Sequence, residues 1–165
     1  MPVTIRFTGT YRYVQPPNKH PGPRAHHAFG TPLDAAIESN NFIPVVMDVH
    51  QQFAAPVQTG RCRTIQVDVA NSDDIAGPIS IALLLSDSSS ARTQALYLGQ
   101  QSIAPTETSR FSMKSRPVFE TLSFPVPSQA RLRKFDQITA VFLTGSEHAL
   151  VAPRIAIQAF RLFPR

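Results

Sequence analysis

The chain has 165 residues, of which 42% are hydrophobic, and a formal net charge of +5. This length allows one domain with a core of its own, and the apolar fraction argues against a disordered chain. The basic residues are spread from Arg6 to Arg165 instead of gathering on one run, which predicts a basic surface and no nucleic-acid partner.

The chain begins with alternating side chains. Residues 3–7 (VTIRF) alternate apolar and polar positions, which predicts a strand with one buried face, and residues 11–13 (YRY) continue the pattern beyond Gly9. Residues 1–10 therefore do not resemble a signal peptide, and no later stretch reaches the roughly 18 apolar residues that span a bilayer. Strand-like sequence so soon after Met1 indicates a domain taken from a longer parent protein.

The middle of the chain predicts four further strands. Residues 33–38 and 44–50 flank the turn-rich tripeptide SNN, which is typical of a β-hairpin. Residues 65–69 alternate again, whereas residues 79–85 (ISIALLL) are continuously apolar, as in a strand that is buried on both faces. The stretch 33–38 is the only rival for a helix, and it is short.

The last part of the chain completes an all-β pattern. Further strands are predicted at residues 93–99, 118–124, 137–143 and 154–162. Eight or nine short strands, joined by turns rich in proline, serine and asparagine, predict an antiparallel β-sandwich of the jelly-roll type. The 15 prolines fit this fold, because proline stops strands and discourages pairing at sheet edges.

The last third of the chain has a recognisable succession of strands. It reads ETLSFPVP at residues 120–127, LRKFDQITAVF at residues 132–142 and RIAI at residues 154–157. This succession resembles the closing strands of galactose-binding-like jelly rolls, the fold of many carbohydrate-binding modules. In that pattern Phe135 and Asp136 introduce a strand.

A second resemblance covers nearly the whole chain. The stretch IRFTGTY at residues 5–11, the pair Arg61 and Cys62 before a strand, and Asn71 followed by ISIALLLSD resemble uncharacterised acidobacterial envelope proteins. In that family, a β-rich domain of this kind follows a membrane segment near the C-terminus. The resemblance implies a membrane-anchored parent chain and an extracytoplasmic location, and it implies no activity.

Cys62 is the one cysteine of the chain, so no intramolecular disulfide can form. It stands between Arg61 and Arg63, and two cations would lower the pKa of an exposed thiol. Because it lies at the start of a predicted strand, we expect a buried and unreactive thiol instead.

Three of the five histidines lie within residues 20–29 (HPGPRAHHAF). Zinc usually takes two or three ligands from a rigid element, such as His-x-His on a strand. His26 and His27 are adjacent, so on an extended backbone their side chains point to opposite faces. The neighbouring prolines predict a connecting loop without a metal ion. The alternative, a metal-dependent site, would require His20, His26 or His27 to meet another histidine or a carboxylate.

The loop after residues 65–69 is a second candidate ion site. Asp73 and Asp74 could supply oxygen ligands to Ca²⁺, but two carboxylates without acidic companions make a weak site. Asparagine and aspartate in such a loop usually bond to their own backbone. We therefore expect a turn here, and we expect no cofactor.

Patterns of catalytic residues are absent from the sequence. There is no Gly-x-Ser-x-Gly motif, and the seven glycines are too dispersed to form a phosphate loop. A glycosidase needs two carboxylates about 5 to 10 Å apart across a cleft, and nothing in the sequence pairs the four glutamates. We predict that the protein is not an enzyme.

Carbohydrate binding is the function that the predicted fold favours. Carbohydrate-binding modules commonly pack aromatic rings on the apolar face of a sugar, and this chain has no tryptophan. The candidate platforms are therefore Tyr11, Tyr13 and Tyr97, with Arg24 or Arg92 as hydrogen-bond donors to sugar hydroxyls. Tyr11 and Tyr13 share one strand face, but tyrosines inside a core with satisfied hydroxyls fit the same pattern.

Two functions remain open from the sequence. The first is a non-catalytic accessory module that binds a carbohydrate, and the alternative is a structural or protein–protein interaction domain of a membrane protein. An exposed groove with tyrosine and arginine would favour the first, and a flat apolar patch the second. In both cases we expect residues 1–165 to form a single β-sandwich domain of a longer, membrane-anchored chain.

Overall fold

The computed structural model describes residues 1–15, 31–34, 37–91, 94–104 and 117–165, together with the backbone of residues 26–28. Within these residues there is no α-helix, and thus no helix that could cross a bilayer. Two short 3-10 turns occur at Thr59–Arg61 and Ser146–His148. The strands are β1 (Val3–Arg6), β2 (Tyr11–Val14), β3 (His26–Ala28), β4 (Val46–Gln58), β5 (Cys62–Asn71), β6 (Ile79–Ser86), β7 (Ala95–Ser102), β8 (Val118–Pro125), β9 (Lys134–Thr144) and β10 (Ile155–Pro164).

The strands form two antiparallel sheets. A four-stranded sheet has the order β1-β10-β5-β8, and a six-stranded sheet has the order β3-β2-β4-β9-β6-β7. The two sheets share one apolar core, to which both contribute fully buried side chains, among them Phe124, Phe135 and Phe160. The antiparallel β-sandwich of jelly-roll type that the sequence predicts is confirmed.

Side-chain alternation along β6 differs in one respect from the prediction. Its odd-numbered residues, from Ile79 to Leu85, are buried in the shared core. On the opposite face Ala82 is buried, whereas Ser80, Leu84 and Ser86 are only partly buried, so β6 is covered only in part on that side.

The predicted hairpin of residues 33–38 with residues 44–50 is wrong. Glu38 instead forms an isolated bridge with Val151, and β4 pairs with β2 and β9. Strand β4 also continues to Gln58, well past the predicted end. Its ladder with β9 is interrupted between Gln52 and Val57, and this irregular stretch accommodates Pro56, which cannot donate to a ladder.

The histidine-rich stretch is not entirely a loop. Residues 26–28 form β3, which pairs with β2 at the edge of the six-stranded sheet. Pairing with a distant strand outweighs the local proline signal on which the loop prediction rested. The rest of the stretch, including His20 and Arg24, lies outside the described residues.

Cys62 is buried, as predicted. Its Sγ lies 3.7 Å from the carbonyl oxygen of Thr64. Burial raises the pKa of the thiol, although the hydrogen bond with Thr64 and the charge of Arg165 act in the opposite direction.

The chain crosses from the four-stranded to the six-stranded sheet between β1 and β2. At the crossing Gly9 lies against the backbone of His50, where an added Cβ would stand 2.0 Å from the carbonyl oxygen. Only glycine allows this approach. The Gln51 side chain holds the same corner, because its Oε1 accepts a hydrogen bond from the Thr8 amide at 2.8 Å.

Tyr11 joins the two sheets across the core. Its ring is only 4% exposed, and its hydroxyl accepts a hydrogen bond of 3.0 Å from the Ile157 amide of β10. The ladder of β10 with β5 shifts register between Ile157 and Ala159, so the hydroxyl accepts its hydrogen bond from an amide at a β-bulge. Tyr13 is also 4% exposed. Both residues therefore fit the alternative of structural tyrosines, not that of surface platforms.

Asp73 forms hydrogen bonds with several segments at one end of the sandwich. Its amide donates to Asn71 Oδ1 at 2.9 Å, and its own Oδ1 accepts from the Ile75 amide at 2.9 Å. The same oxygen lies 2.9 Å from Nε2 of the fully buried His148, while Oδ2 accepts from the Arg154 amide at 3.0 Å. The turn predicted at this position is confirmed.

Replacing Tyr11 with phenylalanine tests the bond between the sheets. Tyr11→Phe leaves the buried Ile157 amide without its acceptor, so we expect a loss of about 1 to 3 kcal/mol in the free energy of unfolding. Tyr97→Phe, which removes a hydroxyl from an exposed ring, should change it by less than about 0.5 kcal/mol. Urea unfolding monitored by circular dichroism measures both variants. Equal effects would contradict the structural role of the Tyr11 hydroxyl.

The same hydroxyl predicts a dependence on pH. Burial raises the pKa of Tyr11 to about 12, above the ordinary value of 10.0. Between these values an unfolded chain ionises this tyrosine while the folded one keeps its proton, so stability falls as pH rises. The stability advantage of the wild type over Tyr11→Phe should therefore shrink by about 2 kcal/mol from about pH 9 to about pH 12. A constant advantage over that range would contradict the burial of the hydroxyl.

A matched pair of aspartates tests the end of the sandwich. Asp73→Asn removes the charge and one acceptor from a buried cluster, and we expect a loss of about 3 kcal/mol in the free energy of unfolding. Asp74→Asn changes the exposed neighbour and should cost less than about 0.5 kcal/mol. Thermal unfolding of the two variants side by side gives the comparison, and similar losses would refute this role of Asp73.

Candidate functional site

Because the inner faces of both sheets are apolar and buried, polar groups for ligand binding lie on the outer faces and at the ends of the sandwich. Among the described residues, the outer face of the six-stranded sheet carries the largest connected set of such groups. The register of its strands arranges them in three rows that run across the sheet, and we call these rows together the outer face. They are Tyr97, Leu84, Thr139 and His50; Gln100, Ala82, Val141, Asp48 and Arg12; and Ala95, Ser86, Gln137 and Gln52.

Arg12 and Asp48 anchor one side of the outer face. They are paired directly across β2 and β4. The guanidinium donates from Nε to Asp48 Oδ1 at 2.9 Å and from a terminal nitrogen to Oδ2 at 2.6 Å. Both side chains are largely buried, at 21% and 11% exposure, so this two-pronged pair fixes the orientation of both groups.

His50 connects this pair to the centre of the sheet. Its Nε2 lies 3.6 Å from Asp48 Oδ1, and its Nδ1 lies 2.9 Å from the Thr139 hydroxyl and 3.3 Å from Nε2 of Gln137. Gln137 Oε1 in turn accepts from the Ser86 hydroxyl at 3.2 Å. A continuous series of polar contacts thus crosses four strands, from β2 to β6.

The group of Thr139, His50 and Asp48 has the composition of an acyl-transfer triad, but its geometry does not suit catalysis. The separation of 3.6 Å between His50 and Asp48 is longer than a hydrogen bond. Thr139 also lies in the middle of β9, where ladders on both sides occupy the backbone amides that could stabilise an oxyanion. These groups are better suited to forming hydrogen bonds with a ligand.

Tyr97 is the exposed aromatic residue of the outer face. Its ring is 57% exposed on the edge strand β7, opposite Leu84 and in the same row as Thr139 and His50. Next to it the ladder of β6 with β7 shifts register, and Gly99 has φ +100°, a conformation that favours glycine. A β-bulge therefore adjoins the tyrosine.

The candidate ligand residues named from the sequence are thus separated. Tyr97 reaches the surface, whereas Tyr11 and Tyr13 lie in the core and present no ring face to solvent. Arg24 and Arg92 lie outside the described residues. The structure instead places Arg12, Asp48, His50, Gln137 and Thr139 together on the outer face, although the sequence pattern did not indicate them as ligand residues. Their signal was the polar half of the alternation in central strands, but it carries no information on which strands are neighbours.

Each end of the sandwich has a cleft. One, of about 310 Å³, is lined by Asp34, Glu38, Asp74 and Arg154 together with Asp73. The carboxylate of Asp73 already accepts hydrogen bonds from the backbone and lies against His148. In the part of the chain that the structure describes, no three histidine, cysteine or acidic side chains are placed to hold a metal ion. The other cleft, of about 460 Å³, has a basic lining that includes Arg131, Arg133 and Lys134.

No protein-family model matches this sequence, and no curated protein matches it. Similarity is found among solved structures. The K1 cleaved adhesin domain of Lys-gingipain from Porphyromonas gingivalis W83 has a TM-score of 0.50 at 9% identity, over 100% of this chain and 99% of that one. CBM27-1 of Caldicellulosiruptor saccharolyticus, solved in complex with mannohexaose, has a TM-score of 0.48 at 11% identity, over 76% and 77% of the two chains. The likeness to the adhesin domain shows a common β-sandwich fold.

Proposed function

We propose that this domain is a non-catalytic glycan-binding module and that the outer face of the six-stranded sheet holds the sugar chain. The observation that carries the proposal is the position of Tyr97. Its exposed ring lies in one cross-strand row with Thr139 and His50, beside rows that contain three glutamine side chains. An aromatic ring beside hydrogen-bonding groups is what a sugar ring requires.

The hydrogen-bonding and apolar groups of the outer face match those of a sugar ring. A pyranose ring has an apolar face, which packs on an aromatic side chain, and a rim of hydroxyls, which both donate and accept hydrogen bonds. Gln52, Gln100 and Gln137 offer amide donors and acceptors on the same face as the Tyr97 ring. A glutamine can serve a hydroxyl in either role, so these residues suit a ligand rich in hydroxyls.

Contacts within the outer face reduce the cost of ordering it. Gln137 is held by His50 and Ser86, and His50 is held by Thr139 and lies near Asp48. Side chains that are already oriented lose less entropy when a ligand binds. From β7 to β4 the row of Tyr97 covers three inter-strand spacings, or about 14 Å, which leaves room for more than one sugar ring.

The setting of the domain belongs to the same proposal. We infer that residues 1–165 are an accessory domain of a longer envelope protein whose parent chain is anchored in a membrane. The resemblance to acidobacterial envelope proteins supports this setting. A module that binds glycans acts where polysaccharides are found, so an extracytoplasmic location is consistent with the proposed ligand.

A second candidate function rests on a different surface. Val118 and Phe119, at the start of β8 on the four-stranded sheet, are 53% and 70% exposed. Because β8 is an edge strand, exposed apolar side chains at its end, here one on each face, are suited to contact with another protein chain. This would make the domain a protein–protein interaction module. The pair is small, and the outer face offers many more specific contacts.

Two exposed aromatic residues on opposite sheets allow a matched test. Tyr97→Ala should weaken binding to a soluble polysaccharide about tenfold or more, because truncation of a central aromatic contact costs more than about 1 kcal/mol. Phe119→Ala, on the four-stranded sheet, should leave binding unchanged. Calorimetric titration with mannan, xylan, mixed-linkage glucan, alginate and polygalacturonate would identify the ligand and compare the variants.

The amide of Gln137 provides a second variant for the same titration. Gln137→Ala should weaken binding without loss of fold, because the side chain is polar, only partly buried and on the outer face. Thermal unfolding checks the fold of each variant. Binding that withstands Tyr97→Ala and Gln137→Ala but is lost in Phe119→Ala would transfer the function to the four-stranded sheet and refute the proposed surface.

A further inference from the structure

Positive charge gathers at one end of the sandwich, although the sequence spreads it along the chain. At this end β4 and β6 finish and β5 and β9 begin. The described residues there include six of the 16 basic residues, drawn from three separate segments. They are Arg61, Arg63, Arg131, Arg133, Lys134 and Arg165.

Three of these cations line the basic cleft of about 460 Å³. Arg131, Arg133 and Lys134 come from the segment that leads into β9. Gln58 at the end of β4 and Gln94 just before β7 contribute uncharged hydrogen-bonding groups to the same cleft. The lining is therefore a mixture of cations and amides.

The segment that carries the cations is held in place by the core. Leu132, between Arg131 and Arg133, is buried, while the two arginines are exposed. The carbonyl oxygen of Arg133 accepts a hydrogen bond of 2.9 Å from the amide of Thr59, which itself is buried. The backbone beneath the charges is thus fixed by packing and by a bond to the neighbouring segment.

The cations are not neutralised within the described part of the chain. The ion pairs of arginine there belong to Arg12 and Arg161, and none involves the three cations of the cleft. One carboxylate, Asp87, lines the cleft, and one of its oxygens accepts hydrogen bonds from the amide and hydroxyl of Ser89. Three cations against one carboxylate leave an excess of positive charge.

The other nearby carboxylate is also engaged. Asp136 accepts a hydrogen bond of 2.8 Å from the Ser88 amide and a second from the Ser88 hydroxyl. These bonds lower the pKa of Asp136 and tie it to the turn between β6 and β7. Neither carboxylate pairs with a cation of the cleft.

The basic cleft adjoins the outer face. The row formed by Ser86, Gln137 and Gln52 is the part of that face nearest to this end of the sandwich. Along the chain Gln94 precedes Tyr97 by three residues, a distance of about 10 Å in a strand. A sugar chain that lies on the outer face can therefore place its next units in the basic cleft.

We propose that the glycan bound by this domain is acidic, and that its carboxylate or sulfate groups bind in the cleft formed by Arg131, Arg133 and Lys134. The inference rests on the proposed glycan-binding function and specifies its ligand class. An arginine guanidinium donates two parallel hydrogen bonds to such an anion, and a lysine adds a point charge. Uncharged sugar hydroxyls would gain less from three unpaired cations.

The observations favour an acidic glycan over a nucleic acid. Of the six basic residues at this end, three line the cleft, whereas a protein that binds DNA tightly can neutralise about six to ten phosphates along the backbone. Proteins that bind single strands also stack successive bases on several aromatic rings, whereas Tyr97 is the aromatic ring of the outer face. An acidic polysaccharide fits a site with a few cations and one aromatic ring, because its sugar units need neither more phosphate-type contacts nor stacked bases.

Single arginine substitutions with equal loss of charge test this inference. Arg131→Gln and Arg133→Gln change the cleft, and Arg6→Gln removes one charge from the exposed face of β1 on the other sheet. Binding is measured by calorimetry with polygalacturonate, dextran sulfate, uncharged dextran and single-stranded DNA. Each cleft variant should bind the acidic polymer about tenfold more weakly, and Arg6→Gln should bind like the wild type. Binding should also weaken from about 0.1 M to about 1 M salt, as the Debye length falls from about 10 to about 3 Å.

The outcomes separate the two proposals. Preference for polygalacturonate identifies a carboxylate ligand and preference for dextran sulfate a sulfate ligand, and either supports the acidic class. If neutral polysaccharides bind as tightly as the acidic ones, and the cleft variants bind them like the wild type, the acidic ligand class is overturned. The glycan-binding function would still stand. If Arg6→Gln weakens binding as much as Arg131→Gln, the cleft is not the site. Failure to bind any polysaccharide would refute both proposals, and tighter binding of single-stranded DNA would overturn the ligand class.

Discussion

The packing of two sheets on one apolar layer decides where any chemistry on this domain can occur. Alternate side chains of the long strands pack in that layer, which contains the fully buried Phe124, Phe135 and Phe160. The remaining side chains face outward or lie at the ends. On the outer side of the four-stranded sheet, the Asp68 carboxylate accepts hydrogen bonds from Arg161 and from the Thr121 hydroxyl. The wider six-stranded sheet carries the longer series of polar contacts, from Arg12 to Ser86, and an exposed tyrosine.

Polar groups within the protein divide into those that maintain the fold and those available to a ligand. The Tyr11 hydroxyl and the Asp73 carboxylate each satisfy backbone amides that the ladders leave unpaired, so their roles are structural. On the outer face the polar side chains bond mainly to one another, and most of them, apart from the buried Asp48, remain partly exposed. The basic cleft differs from both groups, because its charges have no partner in the described residues. This contrast is the physical basis of the proposed ligand class.

The sequence predicts the fold well because alternation is a local signal. The strand of residues 65–69, for example, is buried on its odd-numbered positions as the pattern indicates. The hairpin at residues 33–50 was predicted from a turn signal, but pairing of β4 with β2 and β9 outweighed it. The site could not be predicted in the same way, since Tyr97, Thr139 and His50 are brought together by register across four strands. Tyr11 and Tyr13 shared a strand face as predicted, but alternation alone did not reveal that this face was the inner one.

Binding of the glycan to the outer face of the six-stranded sheet would be visible residue by residue in chemical-shift mapping. Backbone amide signals of the isotopically labelled protein would be followed during titration with oligogalacturonate, the fragment of an acidic polysaccharide. We expect the largest shifts at Tyr97, Gln137 and Thr139 and in the segment around Arg133, with none at Phe119 or Thr121 of β8. Shifts confined to β8, or to the cleft lined by Asp34, Glu38 and Asp74, would contradict binding at the outer face.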